Sequence, residues 1–380
     1  MRVNRKNFSL IIVLFLLSSF TLLSQSSDKK YVIIGYLAGT DWAKHEVDVS
    51  KLTHINYAFA VPAADGRLEK ISPKDSLNLI HLNSLKKDNK DLKILISIGG
   101  WGGSNYFSDA ALTEASREIF ATSSIEFMKQ FNLDGVDIDW EYPDQAGNNN
   151  IFRPEDKKNF TLLLKILREK LDEQAAKEGR GEDQKFLLTI ATGVDTAFIN
   201  HTELGEAQKY LDYVNIMTYD IYHGNDKNTG HHSNLYQSLK GNQSRNSTFD
   251  AVKAHIKEGI PAEKIVVGIP FYGRGWSDVN NKNNGLYEPS KGKHFSVGYE
   301  KLMADYINKN GFVRYWDEEA KVPYLWNAKT KTFISYNDEE SLKYKTDFVK
   351  QQGLAGIMFW EYSHDMKDGK LLNTLYNGLK

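Results

Sequence analysis

The chain has 380 residues, of which 41% are hydrophobic and 26% are charged, a composition typical of a folded globular protein. Its 48 basic and 49 acidic residues nearly balance, so it lacks the basic excess of a nucleic-acid-binding protein, and no nucleic-acid partner is expected. Cysteine is absent, which excludes disulfides, thiolate metal ligands and a thiol nucleophile.

The first 26 residues have the layout of a secretory signal peptide. Arg2, Arg5 and Lys6 precede an apolar run at residues 8–23, and small polar residues follow it. An uncleaved membrane anchor is the alternative, but the run has 16 residues and a membrane-spanning helix needs about 20. We therefore expect residues 1–26 to be removed and the mature protein, whose folded domain spans residues 29–380, to be secreted without a membrane anchor.

Eight short apolar segments recur along the rest of the chain. Most are rich in β-branched or aromatic residues and end at a glycine or a polar residue, as buried parallel strands do. Stretches with helical periodicity lie between them, so the sequence predicts a (β/α)8 barrel. A doubly wound open sheet is the alternative, but no glycine-rich phosphate turn follows the first segment. The segments are residues 31–38, 54–60, 93–100, 135–142, 186–193, 213–220, 264–273 and 356–363.

The gap between the seventh and eighth segments is too long for one helix and two loops. It holds 82 residues between Gly273 and Gly356, where about 25 would suffice. Strand-like stretches such as "VPYLWN" and "TFISYN" occur within it, together with a possible helix at 299–308. We expect a small α+β insertion at residues 277–337, within a single barrel domain because the eighth strand returns after it.

Acidic and apolar residues alternate in the fourth segment. Side chains alternate along a strand, so Asp137, Asp139 and Glu141 share one face and the apolar residues between them share the other. We expect the apolar face to meet the surrounding helices. The acidic face should then point into the barrel, with Glu141 nearest the carboxyl end of the strand, where such barrels have their active sites.

Three carboxylates in one column cannot all ionise at low cost. At least one should have a raised pKa and keep its proton near neutral pH. A protonated carboxylic acid can donate to the leaving oxygen of a glycosidic bond. Solvated charges on an exposed strand and a carboxylate metal site are the alternatives, since hard cations favour oxygen ligands. No cluster of His or Asn lies beside the motif to complete a ligand set, so no metal is predicted.

The segment "DGVDIDWEYP" resembles the DxxDxDxE signature of family 18 glycoside hydrolases, the chitinases, with acids at Asp134, Asp137, Asp139 and Glu141. "KILISIGGW", "VNIMTYD" and "GIMFWEYSHD" are similar to the family's third-strand, sixth-strand and last-strand motifs. "GIPFYGRGW" and "VPYLWN" resemble its insertion. The resemblance covers residues 31–365. It implies a secreted chitinase that needs no cofactor and hydrolyses β-1,4-N-acetylglucosamine linkages of chitin or chito-oligosaccharides.

The resemblance also implies catalytic roles. Glu141 is expected to protonate the leaving oxygen and then to activate water. The substrate's acetamido carbonyl, in place of an enzyme nucleophile, is expected to attack the anomeric carbon, so that hydrolysis retains configuration. Asp139 is expected to orient the acetamido group, Asp137 to pass its proton between neighbours, and Tyr219 to hydrogen-bond the acetamido oxygen.

The family pattern further implies substrate contacts at the barrel mouth. Trp360 would form a sugar-stacking floor and Trp101 would line the leaving-group side, whereas Tyr36 and Tyr57 could equally be barrel filling. Many relatives have a tryptophan shortly after the sixth strand that this chain lacks, with Tyr222 as a possible substitute. The predicted contacts are Tyr36, Tyr57, Trp101, Met217, Asp220, Tyr272, Arg274 and Trp360.

Three other functions stay open. An endoglycosidase that cuts the chitobiose core of N-glycans would use the same chemistry, but the insertion deepens the groove for a linear polymer. A catalytically silent lectin on the same barrel would typically lack the acid that Glu141 supplies. A peptidoglycan hydrolase is the third. The protein is expected to be a monomer with chitin or a chito-oligosaccharide as its partner.

Overall fold

The computed structural model describes residues 30–39, 46–241 and 245–380. The predicted signal peptide at residues 1–26 lies outside this part of the chain. Residues 31–380 form one compact unit. No helix among the described residues is long and apolar enough to cross a membrane.

Thirteen strands and ten helices are described. The strands are β1 (Val32–Ala38), β2 (His54–Ala60), β3 (Lys93–Gly99), β4 (Gly135–Asp139), β5 (Leu187–Thr192), β6 (Tyr213–Ile216), β7 (Ile265–Pro270), β8 (Tyr272–Trp276), β9 (His294–Gly298), β10 (Val313–Asp317), β11 (Val322–Asn327), β12 (Thr332–Ser335) and β13 (Gly356–Trp360). The helices are α1 (Pro73–Ser84), α2 (Phe107–Leu112), α3 (Glu114–Gln130), α4 (Asp156–Lys177), α5 (Thr196–Asn200), α6 (Leu204–Ala207), α7 (Thr248–Lys257), α8 (Tyr299–Asp305), α9 (Glu339–Gln351) and α10 (Lys370–Leu379).

Eight parallel strands close into a barrel in the order β1-β13-β7-β6-β5-β4-β3-β2. These strands coincide with the eight apolar segments, so the predicted (β/α)8 barrel is confirmed. The closed ring excludes the doubly wound open sheet, because every strand of the barrel pairs with a neighbour on both sides.

A second, antiparallel sheet lies between β7 and β13 in the chain, with strand order β10-β11-β12-β8-β9. Its first strand, β8, begins at Tyr272, before the expected boundary at residue 277. The seventh apolar segment was predicted to run without interruption over residues 264–273. The chain instead leaves the barrel after Pro270, and Tyr272 and Arg274 belong to the inserted sheet.

The two faces of β4 divide as predicted. Val136 and Ile138 are fully buried in the core between the strands and the helices. Trp140, next on that face, stacks on Phe107 of α2 at 5.2 Å between ring centroids and contacts Phe160 of α4 edge-on at 5.8 Å. This packing fixes the strand's rotation and therefore turns the acidic face inward.

Candidate active site

A cavity of about 720 Å³ opens at the carboxyl ends of the barrel strands. It receives side chains from the ends of β2, β4 and β13, from the loops after β3 and β6, and from β8 of the inserted sheet. Most of the predicted site residues meet in its wall. They are Trp101, Asp139, Glu141, Met217, Tyr219, Asp220, Tyr272, Arg274 and Trp360.

Asp137 lies beneath the cavity at the base of the acidic column and is fully buried. Its Oδ2 accepts hydrogen bonds from the hydroxyls of Tyr36 (2.9 Å) and Ser97 (2.7 Å). Its Oδ1 accepts from the Thr189 hydroxyl (2.5 Å) and the Asn215 amide (3.2 Å). Donors from four strands thus surround this carboxylate. Because they occupy the positions that a cation would need, the arrangement does not suit a metal ligand.

Asp139 lies two residues further along β4, closer to the cavity, and has a very different environment. Its side chain is 4% exposed, and its Oδ1 has no hydrogen-bond partner among the described residues. Burial raises its pKa well above the ordinary value, and repulsion from Glu141 and Asp137 adds to the increase. The lone Oδ1 is therefore available to a group that enters the cavity.

Glu141 follows β4 at the cavity wall. Burial raises its pKa to about 7, repulsion from Asp220 acts in the same direction, and a hydrogen bond with Tyr142 opposes them. Its backbone N–H donates to the Ser104 hydroxyl at 2.9 Å, which ties this end of the strand to the loop after β3. A carboxyl group with this pKa can hold a proton near neutral pH and also release it.

The turn after β3 requires a glycine at position 99. Its φ of +114° disfavours any other residue, and a Cβ there would overlap the carbonyl oxygen of Asp139 and the ring of Phe107. The next residue, Gly100, donates its N–H to that same carbonyl at 2.8 Å. The close approach of this turn fixes the backbone that carries Asp139.

Asp220 faces the acidic column from the loop after β6. Its carboxylate accepts from the Arg274 guanidinium at 2.7 Å (Nε) and 2.5 Å, and from the Tyr272 hydroxyl at 2.9 Å. His232 Nδ1 lies 3.5 Å from its Oδ1. Burial alone would raise the pKa of Asp220, but His232 and Arg274 outweigh burial and hold the pKa well below its usual range. Asp220 is therefore ionised.

Aromatic rings form the floor and one rim. Trp360 stacks on Phe59 with centroids 5.4 Å apart and an interplanar angle of 19°, and it lies 5.8 Å from the ring of Tyr36. Trp101 is 54% exposed and contacts Tyr142 edge-on at 6.4 Å. Trp360 thus presents a fixed, supported face to the cavity, whereas Trp101 stands free at its edge.

Two predicted contacts lie outside the cavity. Tyr36 is 2% exposed and sits below the floor, where its hydroxyl holds Asp137. Tyr57 points away from the barrel interior, and its hydroxyl donates to Asp75 of α1 at 2.6 Å. The suggested substitute Tyr222 is buried against Tyr287 and does not line the cavity either.

Comparison with known proteins identifies the chain. A family profile described as "Glycosyl hydrolases family 18" matches residues 32–365. The chain belongs to this family. Among curated relatives, chitinase A1 of Niallia circulans is 40% identical over 92% of this chain and 58% of its own length, and chitinase B of Serratia marcescens is 32% identical over 86% and 75%. This chain therefore spans little more than half of the length of chitinase A1, the first of these relatives.

Solved structures of family 18 hydrolases have the same fold. A family 18 N-acetylglucosaminidase from Paenibacillus barengoltzii superposes with a TM-score of 0.86 at 46% identity, over 92% of this chain and all of that one. Chitinase ChiA74 from Bacillus thuringiensis gives 0.84 at 37% identity, over 92% of this chain and 69% of that one. The predicted family is confirmed.

Several residues that shape the site of this family 18 hydrolase were not predicted from the sequence. Phe59 supports Trp360, and Thr189 and Asn215 hold Asp137. Some signal was present: Asn215 and Met217 alternate in "VNIMTYD", and Thr189 interrupts an otherwise apolar strand. A polar side chain within a buried strand needs a hydrogen-bond partner, so Asn215 and Thr189 could have been recognised as partners of a buried polar group.

Proposed function

We propose that this family 18 hydrolase cleaves β-1,4 linkages between N-acetylglucosamine units of chitin and chito-oligosaccharides, using the substrate's acetamido group as the nucleophile. The observation that carries the proposal is the pair Asp139 and Glu141 at the cavity wall. Both have raised pKa values, and neither forms an ion pair within the described part of the chain. The chitinases among its relatives support chitin as the substrate.

Two other carboxylates in the wall are poorly suited to be nucleophiles. Asp220 is held by Arg274 and Tyr272. Asp195 caps α5, where its Oδ1 accepts the N–H groups of Ala197 and Phe198 at 3.1 and 3.2 Å. Attack by the acetamido oxygen of the substrate avoids the need for an enzyme nucleophile, as in the family exceptions to the two-carboxylate scheme.

In the first step, Glu141 gives its proton to the glycosidic oxygen while the acetamido oxygen attacks the anomeric carbon. The glycosidic bond breaks, the leaving sugar departs with the proton, and an oxazolinium ion forms. Asp139 Oδ1 accepts a hydrogen bond from the acetamido N–H and offsets the positive charge. Asp137, which four hydrogen bonds fix beneath Asp139, shares the proton of Asp139, so that Asp139 can become a carboxylate as the positive charge forms.

Tyr219 is placed to align the acetamido group. Burial raises the pKa of its phenol well above 10, so the hydroxyl keeps its proton and can donate. Its hydroxyl donates to the sulfur of Met358 at 4.0 Å, a weak interaction that a substrate oxygen would replace. In the second step Glu141, now a carboxylate, takes a proton from water as the water attacks the anomeric carbon. The bond between that carbon and the acetamido oxygen breaks, which regenerates the acetamido group and gives the β-anomer.

Cleavage that releases single N-acetylglucosamine units is a second candidate. The solved structure with 46% identity over its whole length is described as an N-acetylglucosaminidase. Both activities use the same chemistry and differ in where the chain end sits. Secretion after removal of residues 1–26 and a monomeric state complete the proposal.

Incubation with N-acetylglucosamine hexamer tests these candidates. We expect dimers and other short oligomers as the first products, with the new reducing ends in the β-configuration by NMR. Monomer released from the first time point would favour the second candidate. The glucosamine hexamer, which lacks acetamido groups, is the matched control and should remain intact. Initial α-products, or equal cleavage of the control, would contradict substrate-assisted catalysis. Binding without cleavage would indicate a lectin.

A further inference from the structure

A buried lysine lies behind the cavity wall that carries Tyr219 and Asp220. Lys345 belongs to α9, and its side chain is fully buried. Its Nζ donates to two atoms of Ser233, the backbone oxygen at 2.8 Å and the hydroxyl oxygen at 2.7 Å. Ser233 is also fully buried. These contacts connect a helix outside the barrel with a segment directly beneath the active-site loop.

The hydrogen bonds have a defined direction. Because Lys345 donates to the Ser233 hydroxyl oxygen, the hydroxyl proton remains free to donate to the carbonyl oxygen of Thr218 at 2.7 Å. The Thr218 hydroxyl in turn donates to the carbonyl oxygen of Gly268 on β7 at 2.6 Å. The residue before Tyr219 is therefore held from both sides.

The other side of the loop is tied to the same segment. The N–H of Ile221, which follows Asp220, donates to the carbonyl oxygen of His232 at 3.1 Å. The N–H of His232 donates to the Ser335 hydroxyl on β12 at 2.9 Å. Asp220 has φ of +56°, a left-handed conformation that is uncommon for non-glycine residues but that aspartate adopts more readily than most. The pair His232–Ser233 thus anchors both ends of Tyr219–Asp220.

Space around Tyr219 is equally restricted. A Cβ at Gly268 would lie 2.9 Å from the edge of the Tyr219 ring and 2.7 Å from the methyl carbon of Met358. The ring therefore packs against bare backbone on β7. A small shift of the Thr218 peptide would change both this packing and the position of the Tyr219 hydroxyl.

Burying a lysine has a free-energy cost that packing alone does not explain. Removal from water lowers the pKa of Lys345 to about 7. A methionine of similar length would fill this space without that cost. The hydrogen bonds to Ser233 are what the amine provides and a methionine would not.

We propose that Lys345 is a positioning residue for the hydrolytic reaction, which acts through Ser233 to hold the backbone that carries Tyr219 and Asp220. This inference rests on the proposed function. It adds a residue on α9, remote from the cavity, to the machinery that aligns the acetamido group.

The first test is the Lys345→Met variant with chito-oligosaccharide substrate. We expect kcat to fall about 10- to 100-fold, since a misplacement of about 1 Å can cost 10²-fold in rate, while KM changes little. Lys343→Met is the matched control, because Lys343 lies on the same helix and is exposed. It should keep the wild-type kcat. An equal kcat for Lys345→Met and wild type would overturn the inference.

A double-mutant cycle separates positioning from general destabilisation. If Lys345 acts through Tyr219, then Lys345→Met should cost less than about threefold in a Tyr219→Phe background, so the two losses are far from multiplicative. Fully multiplicative losses would overturn the inference.

Ser233→Ala removes the contact to Thr218 without altering a charge and should reproduce the kcat loss. This variant provides the test if Lys345→Met fails to fold. Retention of kcat in Ser233→Ala would also overturn it.

The same assay distinguishes the two proposals. A wild-type protein that leaves the oligosaccharide intact contradicts the proposed function, and the inference falls with it. A wild-type protein that cleaves the substrate while Lys345→Met cleaves it equally well contradicts the inference alone.

Discussion

Two walls of one cavity hold carboxylates in opposite states. The β4 wall carries Asp139 and Glu141, whose pKa values burial raises. The Asp220 wall carries one carboxylate whose pKa lies well below its usual range, although burial alone would raise that pKa. Burial acts in the same direction at all three groups. The difference is the partner: Arg274 compensates Asp220, whereas the β4 wall has no cation beside it within the described residues.

The two walls therefore have different roles in the site. A carboxylate paired with a guanidinium keeps its charge and its position, so the Asp220 wall is suited to hold a sugar. A carboxyl group with a pKa near 7 can change its protonation state within a catalytic cycle, so the β4 wall is suited to proton transfer. The predictions below separate the two walls.

The largest expected effect is the loss of the acid. Glu141→Gln should lower kcat on N-acetylglucosamine hexamer about 10³- to 10⁴-fold, since general acid–base catalysis contributes up to about this amount. Asp220→Asn, the matched change on the other wall, should lower kcat/KM only about 10-fold. Initial rates and hexamer binding by calorimetry for both variants check this. Losses of equal size would mean that the two walls do not divide the work in this way.

The pH profile is the next most sensitive measurement. Glu141 must be protonated to act, and its pKa is about 7, so kcat/KM should fall about tenfold per pH unit above pH 7, or about 100-fold by pH 9. The negative charge of Asp220 contributes to the raised pKa, so the alkaline limb should move to lower pH in Asp220→Asn. A rate that stays constant from pH 6 to 9 would contradict this assignment of the acid.

The β4 wall could be predicted from the sequence, because strand alternation is a local property. One face of a buried strand carried three acids, and packing of the opposite apolar face on α2 and α4 was enough to orient them. The fold followed from the spacing of eight apolar segments. The residues of the Asp220 wall were named from family resemblance, but the ion pair between Asp220 and Arg274 joins two distant parts of the chain that no local pattern connects.

Tyr57 shows where local rules fail. Its register places it outward on β2, towards Asp75. The pairing of β2 with β3 shifts between Ala58 and Ala60, and at this irregularity Phe59 turns to the cavity and stacks on Trp360. Without this irregularity Phe59 would share the outward face of Tyr57, so the ring that meets the cavity depends on a one-residue shift that strand alternation does not predict. Lys345 was missed for a related reason, since its partner Ser233 is remote in the chain.

The smallest expected effect is on stability, and it has opposite signs at the two walls. The pKa of Glu141 is about 7 in the folded protein against 4.5 ordinarily, so the folded state binds the proton more tightly and the free energy of unfolding falls as pH rises from 4.5 to 7. Glutamine does not titrate. Glu141→Gln should therefore become more stable than wild type across this window, by about 3 kcal/mol at pH 8.

The pKa of Asp220 is lowered in the folded protein, so its contribution to stability is present above its ordinary pKa of 3.8 and is lost as pH falls below that value. Asp220→Asn should therefore be less stable than wild type at pH 7, and the gap should narrow in acid. Urea denaturation of the three proteins at pH 4, 6 and 8 measures both effects. If both substitutions destabilise at pH 8, then Glu141 has a stabilising partner and the contrast between the walls is lost. Opposite signs would show that the uncompensated acid is retained at a cost in stability, which is expected of a group kept for its proton rather than for the fold.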